Sequence, residues 1–101
     1  MGWVNDARRE LLEGRPVAVR PSGGSMRGRI GSGQLVTIEP ASIESVGVGD
    51  VVFVEWKGNA ILHLVLEKRA DSVLIGNALG KVNGWAPALA ILGRVAHVEA
   101  R

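Results

Sequence analysis

The chain has 101 residues, enough for one modest hydrophobic core and too few for two. Hydrophobic residues make up 47% and charged residues 22%, a balance that excludes a disordered chain. Twelve basic against ten acidic residues (Lys+Arg 12, Asp+Glu 10, formal net charge +2) is too even for a nucleic-acid surface. The absence of cysteine excludes disulfides, thiolate catalysis and cysteine-bound zinc.

In chain order, Asn5 or Asp6 is suited to cap a short helix over about residues 6–13, with Ala7, Leu11 and Leu12 on its apolar face and Gly14 as its stop. Strands follow at Val17–Arg20, Gln34–Glu39, Val51–Trp56, Ala60–Leu66, Ser72–Ile75 and Arg94–Glu99. Turn chemistry separates them at Gly31–Gly33, Gly47–Asp50, Lys57–Asn59, Arg69–Asp71 and Asn83-Gly84. Lys57-Gly58-Asn59 between two apolar β runs signals a hairpin. Turns every eight to twelve or so residues predict a mainly β fold, a small coiled β-barrel or β-sandwich with one short N-terminal helix. The expected organisation is a single domain over 1–101, its β part running over about 17–99.

The N-terminus lacks the apolar run of a secretory signal. No stretch approaches the roughly 20 apolar residues that span a bilayer. Asp6 stands where a myristoylation motif wants Ser or Thr. The expectation is a soluble, cytoplasmic protein without a membrane span. His63 and His97, far apart in sequence, make a histidine metal site unattractive, so neither metal nor cofactor is expected.

Two features carry chemistry. In Pro21-Ser22-Gly23-Gly24-Ser25-Met26 a strand breaks at proline, two glycines follow, and a serine comes just past the corner. Such a serine can present both its Oγ and its own N–H, the nucleophile and the oxyanion donor of acyl transfer. His63 lies in Ala60-Ile61-Leu62-His63-Leu64-Val65-Leu66, sharing a strand face with Ile61 and Val65. That aliphatic setting disfavours the charged form and leaves the neutral imidazole a general base needs. A buried histidine bonded to a backbone carbonyl fits the same pattern. His97 reads as a surface residue.

Five blocks in order — Gly24-Ser25-Met26, Gly33–Pro40, Val48–Phe53, His63-Leu64-Val65 and Ile75-Gly76-Asn77 — together with Ile91–Val95 resemble the S24/S26 peptidase superfamily of signal peptidase-like and repressor-cleavage-like serine peptidases. The likeness covers about residues 17–98 and is nearest to the small soluble histidine-type members. It implies Ser25 as nucleophile, His63 as general base, and the loop Gly24, Ser25 and Met26 as the oxyanion corner. It also implies an extended peptide, or unstructured segment of a partner protein, as substrate, paired as an added strand.

The chain departs from the family pattern at several points. Gly28 replaces a proline, Gln34 an acid and Leu64 an arginine, and Gly23 removes a hydroxyl donor found in some members. Asn77 occupies the place of the histidine-type acid, and Asn83 that of a second acid. Asn77 can orient an imidazole without stabilising its cation. Loss of the acid in a Ser-His-Asp triad costs on the order of 10⁴ in turnover. Asp50 or Asp71 could supply the charge instead, although both read as turn residues. Arg20, Arg27, Arg29 and Trp56 flank the expected site as candidate peptide contacts, with solvated charge and core packing as their plainer readings. The leading expectation is a Ser-His peptidase acting on an exposed segment. A catalytically inactive domain that binds a peptide or partner is the alternative, and a chaperonin-10-like assembly module a weaker third. The oligomeric state is not written in the sequence.

Overall fold

A computed structural model describes residues 3–21, 30–31 and 33–99. One helix, α1 (Trp3–Leu12), precedes seven strands: β1 (Val17–Val19), β2 (Val36–Pro40), β3 (Val51–Trp56), β4 (Asn59–Lys68), β5 (Ser72–Gly76), β6 (Val82–Pro87) and β7 (Ile91–Val98). Short 3₁₀ turns at Ile43–Ser45 and Ala88–Ala90 lead from β2 toward β3 and from β6 into β7. The strands form one sheet in the order β1-β2-β7-β3-β4-β5-β6, and every neighbouring pair is antiparallel. The mainly β fold with an N-terminal helix is therefore as expected. Among the described residues no ladder joins β1 to β6, so the sheet is open rather than closed into a barrel.

Alternation along β3 explains the two cores. Val51 and Phe53 point into one cluster with Ala7, Leu11, Val36, Ile38 and Leu62. Val52 and Val54 point into the other with Val65, Val73, Ile75 and Ala86. α1 covers the first face, and Ile43 and Val46 close over the second. All four residues from Val51 to Val54 are buried, the continuous apolar run expected of a strand covered on both faces.

The helix begins earlier than its capping residues suggest, because Trp3, Ala7 and Leu11 form an i, i+4, i+8 row against the core. Trp3 packs on Phe53 with ring centroids 5.4 Å apart. Leu12, expected on the apolar face, is 68% exposed, since it lies about 100° around the helix from Leu11. The C-terminus is a Schellman cap: Gly14 at φ +82° donates to the Leu11 carbonyl (3.1 Å), and Arg15 donates to that of Glu10 (2.9 Å).

The β3–β4 turn is two residues long rather than three. Lys57 and Gly58 have φ of 50° and 85°, the values of a type I′ turn, and Asn59 already pairs with Trp56. Asn83-Gly84, read from sequence as a turn, lies inside β6. The β5–β6 register shifts between Ile75↔Gly84 and Gly76↔Val82, making Asn83 the extra residue of a bulge. Gly84 stands at φ +147°, and a Cβ there would lie 2.9 Å from Cη2 of Trp56. The missing side chain is what lets that indole lie on the strand.

Candidate functional site

β4 outruns both of its neighbours. On one side β3 pairs with it from Asn59 to Leu64. On the other, β5 pairs only from Leu64 to Lys68, beginning at Leu64↔Gly76. Residues 59–63 therefore have no strand partner on the β5 side among the described residues. Counting from the two-residue turn, alternation directs the N–H and C=O of Ala60 and Leu62 toward that open side. His63 stands at the inner end of the open edge, and the antiparallel register carried one step past Gly76 sets Asn77 opposite it.

His63 is half-buried, pairs with Val52 across β3, and shares the face of the second core with Ile61 and Val65. Its Nδ1 is bonded to the carbonyl of Leu62. A carbonyl only accepts, so Nδ1 is the donor in this contact. A bond to a backbone carbonyl is the plainer of the two readings that the sequence offered for His63.

Asn77 is otherwise engaged. Its Oδ1 accepts from the N–H groups of Leu79 (2.9 Å) and Lys81 (3.0 Å), and its own N–H donates to the Lys81 carbonyl at 2.9 Å. The amide oxygen therefore braces the 77–81 loop, and no hydrogen bond joins Asn77 to His63 among the described residues. Asp50 faces the second core diagonally from His63 and accepts the Gly47 N–H at 2.8 Å. Asp71 accepts from Ser72 Oγ at 3.3 Å. Both serve their turns. Asn83 Oδ1 is buried and has no hydrogen-bond partner among the described residues.

Ser25, its neighbours Gly24 and Met26, and the arginines Arg27 and Arg29 lie outside the described residues. The two ends of their segment are placed. Pro21 is buried and accepts the Gly33 N–H at 2.9 Å. Ile30 is buried in the first cluster with Val51 and Leu62, on the sheet face opposite Val52 and His63. Ile30 also lines an open cleft with residues 49–51 of the β3 approach and Val95–Val98 of β7.

Arg20 donates to the Gly33 carbonyl (2.9 Å) and lies 3.5 Å from Glu99, a contact that ties β1 to the strand-end turns. Trp56 packs on Gly84 and the second core, with Lys57 Nζ 5.9 Å from its ring centroid. Trp85 is capped by the Arg69 guanidinium at 4.1 Å. Gln34 bridges the turn to the chain's end: its Oε1 accepts the Gly31 N–H at 2.8 Å, and its Nε2 donates to the Glu99 carbonyl. Among the described residues no three His, Asp or Glu side chains gather as a metal site, and no helix is long and apolar enough to cross a membrane.

The chain matches no protein-family model and no curated protein.

Proposed function

We propose that this chain is a serine peptidase-like protein that takes an extended peptide segment along the open β4 edge and cleaves it with a Ser25–His63 dyad. The observation that supports the reading is the stretch 59–62 of β4, which has no strand partner on its β5 side among the described residues and leads to His63. Ser25 is four residues from Pro21 and five from Ile30, a reach of at most roughly 13–18 Å, while Ile30 itself packs with Leu62 on the sheet face opposite His63.

In this mechanism the peptide chain adds to the sheet by pairing with the N–H and C=O of Ala60 and Leu62. Ser25 Oγ attacks the scissile carbonyl while His63 Nε2 accepts its proton. The Ser25 N–H donates to the oxyanion, and the imidazolium then returns the proton to the departing amine. Water repeats the sequence on the acyl-enzyme. The Leu62 carbonyl orients the ring as an acid would, but it carries no full charge for the imidazolium. Turnover is therefore slow beside a full triad, in the range where loss of the acid costs about 10⁴.

Asn77 favours a second reading. Its side-chain oxygen serves its own loop, which suits a catalytically silent domain that binds a peptide along the same edge. A fluorophosphonate probe separates the two. Under the peptidase reading it labels the wild type, and Ser25→Ala and His63→Ala abolish labelling without unfolding the chain. A folded wild type that stays unlabelled leaves only the binding domain.

A further inference from the structure

α1 covers only part of the sheet face it packs on. Beyond Leu64, which still touches the first core, that face continues across β4, β5 and β6, where the register aligns Glu67 with Leu74 and Leu74 with Trp85. Leu74 and Trp85 point away from Val73, Ile75 and Ala86, which fill the second core. Among the described residues neither joins a core cluster. Leu66, the extra residue of the β4 bulge, lies over Gly76 beside them. The three side chains, each part-exposed, form an apolar strip outside both cores, and contiguous strips of this kind mark contact sites. Charge distinguishes its two sides. On the β4 side Glu67 is exposed, and among the described residues its carboxylate has no hydrogen bond or ion pair. On the β6 side the Arg69 guanidinium lies 4.1 Å over the Trp85 ring. Arg8, Arg9, Arg15, Arg20 and Arg94 each meet a carboxylate; among the described arginines Arg69 alone does not.

We propose that this strip is the contact face of a homodimer, covered by a second copy of the same chain. The row Glu67, Leu74, Trp85 is self-complementary, with an acid at one end, a cation at the other and a leucine between them. A two-fold axis running along β5, between sheets about 10 Å apart, exchanges the β4 and β6 sides. Leu74 then packs on Leu74 of the second copy, and Glu67 faces the Arg69-capped Trp85. Symmetry forms the same pair again, as an isologous contact requires. A guanidinium stacked on an indole keeps its edge N–H donors free for a carboxylate. Three strands make a small interface, under roughly 1,200 Å² in total, so the dimer is a weak one. The inference is independent of Ser25, His63 and the β4 edge.

Sedimentation equilibrium of the whole chain tests it, with thermal unfolding as the fold control. Wild type is expected to move from the monomer mass toward twice that value between about 5 μM and about 1 mM, the range of a weak interface. Glu67→Arg, a change at an exposed position, should weaken the dimer by about tenfold or more, because one substitution alters both symmetric contacts. Arg69→Glu should do the same. Glu67→Arg combined with Arg69→Glu exchanges the charges and should restore the dimer to within about threefold of wild type. A chain that stays monomeric up to about 1 mM overturns the proposal and leaves the strip to a different partner or to water. A dimer that either single change leaves intact, or that the exchange does not rescue, overturns it by placing the interface elsewhere.

Discussion

At the scale of single residues, His63 and Asn77 divide the work differently from the expectation raised by their order in sequence. The strand face of His63 follows from its place among aliphatics, and its opposition to Asn77 from the register of β4 and β5. A backbone-carbonyl bond was one of the two sequence readings of His63; which carbonyl accepts, here that of Leu62, the sequence could not display, because every residue has one and none is marked by its side chain. Nor could it display the commitment of the Asn77 oxygen to two loop amides. Asn77→Asp is informative for that reason. An aspartate oxygen can accept the same two N–H bonds, so the loop holds, while a negative charge arrives opposite His63. Under the peptidase reading, fluorophosphonate labelling of Asn77→Asp should accelerate tenfold or more, a small part of the ~10⁴ that a full triad gains. An unchanged rate would show that the charge does not reach the imidazole.

At the scale of elements, β3 and the Lys57-Gly58 turn were legible because a dense Val/Phe run and a glycine turn are strong local signals. β6 was not. Asn83-Gly84 carries the strongest turn dipeptide a sequence can show, yet here the glycine serves a bulge and the approach of Trp56. A tertiary contact decided the conformation, and no local pattern reports it. Gly84→Ala should accordingly destabilise by about 1–3 kcal/mol, because its Cβ meets both the unfavourable φ and the indole. Urea unfolding measures this directly, and a change within about 0.5 kcal/mol, the usual range for neutral surface substitutions, would contradict the packing described. Strand ends were the least legible feature. β4 extends two residues past the predicted Leu66 and one before Ala60, and the length mismatch with β5 that opens the edge depends on those ends.

For the whole molecule, pairing at the surface is mostly of one kind: arginines on carboxylates. Arg94 binds Glu39 and the Ser45 carbonyl, joining β7, β2 and the 3₁₀ turn, and the carboxylate raises its pKa above the ordinary arginine value. Arg15 lowers the pKa of Glu10 below 4.5 through a hydrogen bond. Glu44 is lowered by hydrogen bonds from its own backbone and the Ser42 side chain. A depressed carboxylate contributes stability that is present above its unfolded value and lost as pH falls through its folded one. The urea midpoint should therefore hold from pH 7 to about 5 and decline below about 4.5, and Glu10→Gln should flatten part of that decline. These groups are solvent-exposed, so the effect is modest and shrinks with added salt. A midpoint that rises on acidification would reverse the assignment.

The strand order has one further consequence. β7 is the last strand in sequence but sits between β2 and β3, so Val36–Pro40 and Val51–Trp56 meet only through Ile91–Val98. The β3–β4 and β5–β6 ladders close over short loops, whereas the β2–β7 ladder must close over the intervening half of the chain, and loop entropy delays such contacts. β1 and β2 can pair with each other early, but they join the rest of the sheet only once β7 stands between β2 and β3. Until then the β2 edge that β7 will cover is the part of the sheet most open to wrong pairing.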